Sequence, residues 1–530
     1  MSDSDQPGAS QHAPLRIEEL LVPSAFPHEV GELHLVETHI SWVILTGSLV
    51  YKIKKPVKLD FIDTSTLDRR RHYCNEELRL NRRLAPDLYV RVVPITRRNG
   101  QARIHGTGTP MEYAVCLKQF SADAELPALL QHGDVSLPEI QRLGETLAYF
   151  HLQTPEFSGT HAPEATQRMY DTVLDNLEQL LEYTKQRRSG PELRRLWDWT
   201  RRAILTHEAT FETREREHRI RDCHGDLHAA NIVRYEGRLL PFDCIDFDPQ
   251  LRCIDVINDI AFLIMDLHTH GRSDLGAALL SRYLEITGDY DGVRLLPFYA
   301  VYRALVRAKV DAIAAEQSRH LVARYNERLQ RRVRTAIELT KQPRPILLLM
   351  HGVSGSGKSW LSEQLVAPLH ALRIRSDVER KRLLGPSASN AGFAQGNYAP
   401  GMSHRVYARL VECAESCLQG GCNVIVDAAF LAASDRELFT SLADRLLVTC
   451  AFISCHADPT TLLNRVAERA AHGTDASEAD QAVVRSQLRD FEPLDRQQQH
   501  QIIKVDTREA DAVAKVVSSL GALQAAAKSS

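Results

Sequence analysis

The run His351-Gly352-Val353-Ser354-Gly355-Ser356-Gly357-Lys358-Ser359 constrains this chain more than any other stretch. It fills every fixed position of G-x-x-x-x-G-K-[ST] directly after the apolar segment Ile346-Leu347-Leu348-Leu349-Met350. Glycines at 352, 355 and 357, with Ser354 and Ser356 between them, let backbone N–H groups converge on an anion. Lys358 reaches the β/γ oxygens of a triphosphate, and the Ser359 hydroxyl is a magnesium ligand. The apolar segment reads as a buried parallel strand and Trp360 to Leu365 as the helix that follows, which is the setting the motif requires.

Further acids and bases follow at the ends of predicted strands. Ile374-Arg375-Ser376-Asp377 sets a carboxylate after the second strand, where Asp377 can take the proton of an acceptor hydroxyl or cap the helix Val378 to Leu384. Cys422 to Asp427 is apolar with a terminal acid, the form in which Asp427 binds Mg²⁺ or its water shell. Ala428 stands where a water-activating glutamate would favour hydrolysis. Arg465 and Arg469, four apart on a helix from Thr460 to Ala471, share a face and can meet a transferred phosphoryl group; a surface pair is the alternative.

A second constellation lies upstream. His224-Gly225-Asp226-Leu227-His228-Ala229-Ala230-Asn231 has the H-x-D-L-x-x-x-N spacing of a phosphoryl-transfer loop, in which Asp226 accepts a hydroxyl proton and Asn231 holds a metal ion. Gly225 stands where protein kinases have an arginine that answers an activation-loop phosphate, and no A-P-E element follows. The strand Arg238 to Phe242 runs into Asp243-Cys244-Ile245-Asp246-Phe247-Asp248. The His224 to Asn231 motif resembles that of small-molecule kinases, and this resemblance implies Asp246 as the preferred metal carboxylate there, Asp243 as the alternative register and Asp248 as a further contact. Asp259 is expected to brace the loop by hydrogen bonding.

Ile40 to Ile53 reads as two strands joined at Thr46-Gly47-Ser48, without G-x-G-x-x-G. The same resemblance to small-molecule kinases implies Lys52 as the phosphate anchor on the second of them, and Lys54 points to the same face. Arg69 to Leu84 has helical character and offers Glu76 and Glu77 to pair with that lysine. Met111 to Phe120 reads as the strand entering a hinge between lobes, and long amphipathic helices dominate from Leu137.

His224 to Val233, read as H-G-D-L-H-x-x-N-I-V, resembles the signature of the aminoglycoside phosphotransferase and choline kinase group of small-molecule kinases, over roughly residues 30 to 335. The whole arrangement resembles the bacterial proteins described as bifunctional aminoglycoside phosphotransferase/ATP-binding proteins, and the C-terminal half resembles the polynucleotide-kinase-like and metabolite kinase branch. The resemblance implies an N-terminal α+β protein-kinase-like fold and a C-terminal three-layer α/β P-loop fold with a parallel sheet. It implies ATP- and Mg²⁺-dependent phosphotransfer to a hydroxyl of a small molecule at two nucleotide sites. Two other readings stand beside it: an N-terminal nucleotide-binding regulatory module controlling a C-terminal kinase, and a C-terminal enzyme that processes nucleic-acid ends.

A chain of 530 residues exceeds one hydrophobic core, and 44% apolar with 25% charged residues is ordinary globular material. The expected layout is a flexible N-terminus over 1–29, a kinase-like domain over 30–340, a joint at 341–345, a nucleotide-binding domain over 346–520 and a tail over 521–530. The prolines at 343 and 345 end a helix just ahead of the phosphate-loop strand. A net charge of −3 offers no global attraction to nucleic acid or anionic membranes, and no apolar run has transmembrane length. With a polar start lacking a signal-peptide core, the expected location is the cytoplasm, and the expected partners are ATP and a small-molecule acceptor.

Overall fold

The structure, a computed structural model, describes residues 14–59, 62–155, 165–184, 190–317, 321–341, 344–385, 400–472, 481–489, 492, 494 and 501–529. These residues form two compact units, each assembled from separated segments. One lies within Met1–Glu139, Gln153–Ala165 and Glu215–Asp259, the other within Ile140–Leu152, Thr166–Arg214 and Ile260–Ser530. The joint expected at 341–345 therefore marks a change of fold type and not a border between compact bodies, because the helices before it cluster with the sheet after it. Residues 342 and 343 of that joint lie outside the described residues.

The first unit is built on a six-stranded antiparallel sheet: β1 (His34–Glu37), β2 (Ser41–Leu45), β3 (Leu49–Lys54), β4 (Tyr89–Arg98), β5 (Gln101–Ile104) and β6 (Pro110–Lys118), in the order β1-β2-β3-β6-β4-β5. The strand period of two divides β3 cleanly. Tyr51 and Ile53 enter one apolar cluster, and Val50 enters another with Cys74 and Leu78. Those last two lie on α1 (Leu67–Asn81), whose first turn is capped by the Thr66 side chain accepting the Arg69 N–H at 3.4 Å. Lys52 and Lys54 share the Val50 face and so point toward α1. A short hairpin, β7 (Ile232–Tyr235) with β8 (Arg238–Pro241), follows the loop at 224–231. The N-terminus departs from expectation: Ile17, Leu20, Ala25 and Phe26 are buried in the cluster under the sheet, so residues 17–26 are packed, and residues 1–13 lie outside the described residues.

The second unit pairs a helical layer with a parallel sheet. The helices include α2 (Leu137–Gln153), α3 (Ala165–Thr184), α4 (Gly190–Arg216), α5 (Val256–Thr269), α6 (Ser273–Thr287), α7 (Leu296–Gln317) and α8 (Val322–Thr340). Leu177, Leu196, Met265, Leu305 and Val333, from five of them, meet in one core. The sheet consists of β9 (Ile346–His351), β10 (Ala371–Arg375), β11 (Asn423–Asp427), β12 (Thr449–His456) and β13 (Gln501–Asp506), all parallel in the order β10-β11-β9-β12-β13. Every residue of β9 is buried, as a central parallel strand covered on both faces requires. One face packs on α9 (Lys358–Val366) and α12 (Ala512–Ser529), through Leu361, Leu365, Val516 and Leu520. The expected tail over 521–530 is largely helix, since α12 runs on to Ser529. No described helix is long and apolar enough to cross a membrane.

Candidate active sites

In the first unit, burial of charge organises the site. Glu77, on α1 and 1% exposed, takes Lys52 Nζ at 2.9 Å and Lys54 Nζ at 2.6 Å. The same lysines reach Asp243 (2.6 Å) and Asp246 (2.5 Å) respectively. Two ammonium groups thus face three carboxylates. Burial alone would raise the Glu77 pKa, but Lys52 and Lys54 outweigh it and hold the carboxyl well below the usual range. Of the two glutamates offered by α1, Glu77 makes these pairs. Glu76 instead bonds Arg79 one turn along at 2.7 Å, so the expectation that Glu76 meets the lysine is corrected. The cause is helical geometry: adjacent residues point about 100° apart, and only one of them faces the sheet. Lys52 and Lys54 are both brought in, with Lys54 the more deeply buried. Glu77→Ala would strand two buried lysines and is expected to cost about 3 kcal/mol of stability. Urea unfolding checks this, and a negligible change would contradict the pairing.

The loop at 224–231 is held from beneath. Asp259 accepts the backbone N–H groups of His224 (3.0 Å) and Gly225 (2.9 Å), the bracing expected of it. His224 is fully buried. Its Nε2 lies 3.0 Å from the Phe242 carbonyl and its Nδ1 accepts the Asp226 N–H at 3.3 Å, a pattern that requires the neutral ring with the proton on Nε2. Burial also pushes its pKa down. Asn231 Nδ2 donates to the Asp226 carbonyl and to Asp226 Oδ2, both at 3.0 Å, and His228 Nε2 lies 3.4 Å from the same Oδ2. Asp226 keeps its side chain 36% exposed, so a carboxylate stays accessible above a buried scaffold. Asp246 is buried and Asp243 is half-exposed at a left-handed φ of 61°.

Gly225 explains its own identity. At φ +84°, a Cβ there would lie 3.0 Å from both Arg252 Cβ and the Leu251 carbonyl oxygen. Gly225→Ala is expected to cost about 1–3 kcal/mol and to lower turnover by displacing Asp226. Thermal unfolding and single-turnover kinetics on the same variant test both effects, and a variant as stable as the parent would refute the strain argument.

In the second unit the phosphate loop wraps the N-terminus of α9. Gly352, Gly355 and Gly357 all have positive φ, and a Cβ at each would lie 2.5–2.6 Å from Cys455 O, Leu462 O and Thr507 Oγ1 respectively. The loop's path therefore excludes side chains at all three positions. Gln487 Oε1 accepts the Ser354 N–H at 2.7 Å, Ser356 is buried, and Lys358 Nζ donates to the Val353 carbonyl at 2.9 Å. A cavity of about 460 Å³ opens over the loop, and Lys358, Ser359, Asp377, Asp427 and Arg465 all line it. Asp427 is buried at the end of β11 and accepts the Ser362 hydroxyl at 3.2 Å. Asp377 lies in the first turn of α10 (Ser376–Leu384) and bonds Arg380 at 2.6 Å. Arg465 donates to Thr507 Oγ1 at 2.9 Å from α11 (Pro459–His472). Arg469 is on the same helix, with its side chain outside the described residues.

Trp360, Arg380, Tyr407, Gln487 and Thr507 also line this cavity and were not singled out from sequence. Trp360 stands beside the motif and could have been noticed. Tyr407, Gln487 and Thr507 lie far along the chain, and only the fold brings them together.

Residues 64–296 match the phosphotransferase enzyme family, and residues 347–494 match the AAA domain family. Uncharacterized proteins of Mycobacterium tuberculosis and Mycobacterium bovis are 28% identical over 468 residues, spanning 86% of this chain and 90% of theirs. Among solved structures, a choline/ethanolamine kinase family protein from Mesorhizobium loti is 12% identical with a TM-score of 0.38, covering 62% of this chain and 94% of its own. A gluconokinase from Sinorhizobium meliloti is 21% identical with a TM-score of 0.26, covering 34% of this chain and 94% of its own. The chain is a phosphotransferase that joins a phosphotransferase-family, protein-kinase-like region to a P-loop kinase-like region in one polypeptide.

Proposed function

We propose that the chain transfers the γ-phosphoryl group of ATP, with Mg²⁺, to a hydroxyl of a small molecule, and that each half holds its own nucleotide. One observation carries this reading most directly: phosphate loop, strand-end acid and candidate base, Lys358, Asp427 and Asp377, line one cavity of about 460 Å³. That volume lies within the range of small-ligand pockets. The loop's glycines, all at positive φ, fit a backbone that turns its N–H groups toward a phosphate chain. The oxygen donors fit magnesium: the Ser359 hydroxyl and Asp427 carboxylate in one site, and Asn231, Asp246 and Asp243 in the other. When bound, Mg²⁺ would neutralise charge on the phosphate oxygens.

The chain's own groups supply the rest. Lys358 in one site, and Lys52 with Lys54 in the other, offer positive charge to the phosphates; Arg465 adds to it where the cavity opens. Asp377 or Asp226 receives the hydroxyl proton as the acceptor oxygen bonds to phosphorus and the bond to the departing nucleotide oxygen breaks. Ala428, at the lining of the cavity, offers no carboxylate to activate water, which favours transfer over hydrolysis. Screening a metabolite and nucleoside library for ATP-dependent phosphorylation tests the proposal. Hydrolysis of ATP unaffected by every acceptor would overturn it.

A further inference from the structure

The P-loop site has a neighbour that belongs, by sequence, to the other family's segment. Helix α6 lies on β10, the edge strand of the parallel sheet. Ser281 Oγ accepts the Arg373 N–H at 3.0 Å, satisfying an edge donor, and Glu285 follows one turn later. Glu285 is 8% exposed. Its Oε2 takes Arg373 NH2 at 3.4 Å and its Oε1 takes Arg375 NH1 at 3.1 Å and Arg282 NH1 at 3.3 Å. Its backbone carbonyl accepts Arg382 NH2 at 2.7 Å, which fixes the helix end that carries it.

Both arginines also reach the phosphate site. Arg373 NH1 donates to the carbonyl of Ser359 at 3.0 Å. Arg375 is the register partner of Asp427 in the parallel ladder, so the two side chains share a face, with Arg375 Nε 3.9 Å from Asp427 Oδ2. Arg375 is thus shared between two carboxylates, and the shorter contact is with Glu285. Burial opposes ionisation of Glu285, but Arg373, Arg375 and Arg282 outweigh it and hold its carboxyl below the usual range.

We propose that Glu285 is a positioning residue of the P-loop site: it draws Arg375 away from Asp427 and anchors Arg373 on the Ser359 carbonyl, leaving the Asp427 carboxylate for a divalent cation. This rests on the reading of Asp427 as the metal carboxylate. Without the Glu285 charge, a shift of less than a bond length brings Arg375 into a full ion pair with Asp427, where it competes with magnesium. The N-terminal family's segment thereby sets the metal response of the C-terminal site.

The test is ATP binding by calorimetry to the full chain, in excess EDTA and in Mg²⁺, for the parent, E285Q, R375Q, E285Q/R375Q and K358A. The component that K358A removes belongs to the P-loop site. In E285Q, the gain in that component's affinity on adding Mg²⁺ is expected to fall about tenfold, the usual effect of losing a group behind a metal ligand. Binding in EDTA is expected to stay as in the parent, and E285Q/R375Q to recover the magnesium gain, which simple structural damage would not do. R375Q alone is expected to match or exceed the parent, and this arm stands even if E285Q fails to fold. An unchanged magnesium gain in E285Q, no recovery in the double variant, or a reduced gain in R375Q would each overturn the proposal. If K358A removed no binding component, the reading of the P-loop site itself would fail instead.

Discussion

Replacing Lys358 with alanine is expected to abolish phosphotransfer by the C-terminal half, with a loss of about 10²–10³ in rate from the missing charge alone, and to weaken nucleotide binding there. Lys358 opens α9 and carries a point charge to the mouth of the loop, while the loop's path is held by its glycines and by Gln487 on Ser354. The substitution therefore removes charge and leaves the cradle standing. Nucleotide binding to the first unit should persist, because the cations proposed for its phosphates are Lys52 and Lys54. Calorimetry on the intact chain, comparing parent and variant, resolves the two sites. Equal affinity and equal turnover in the variant would show that the motif does not serve transfer.

Asp226→Asn is expected to keep MgATP binding in the first unit and to lower its transfer rate by about 10²–10⁴, the usual contribution of a positioned base. Asparagine retains an oxygen for the Asn231 amide, and the scaffold of His224 and Asp259 binds backbone atoms that the change leaves alone. What disappears is the capacity to take a proton. The informative comparison sets Asp226→Asn beside Lys358→Ala on one acceptor. Loss in both couples the sites, and loss in one locates the chemistry. If Asp226→Asn changes turnover on no acceptor found, the N-terminal half is a nucleotide-binding module that regulates its neighbour.

Much of both sites could be read from contiguous residues. The phosphate loop and the 224–231 loop each pack several functional groups into under ten positions, so spacing carries the geometry directly. The period of two placed Lys52 and Lys54 on one face with Lys52 as the expected anchor, and the structure engages both with Glu77. Glu76 and Glu77 were indistinguishable: which of two adjacent helical residues faces a sheet depends on how the helix is rotated, and α1 is set by Cys74 and Leu78 against Val50.

The architecture divides along the same line. The change of fold type near residue 345 was visible in prolines and periodicity, yet the compact units join the helices before it to the sheet after it. Nothing local in Ser281 or Glu285 points to Arg373 or Arg375 some ninety residues onward, and nothing in those arginines points back. The sequence alone determined what local spacing can encode: two loops with the spacing of phosphate-handling motifs, their candidate bases, and strands and helices in the right order. The tertiary structure decided which charges are buried together, because pairing across distant segments depends on packing that no local pattern records, and burial turns such a pairing into a strong constraint.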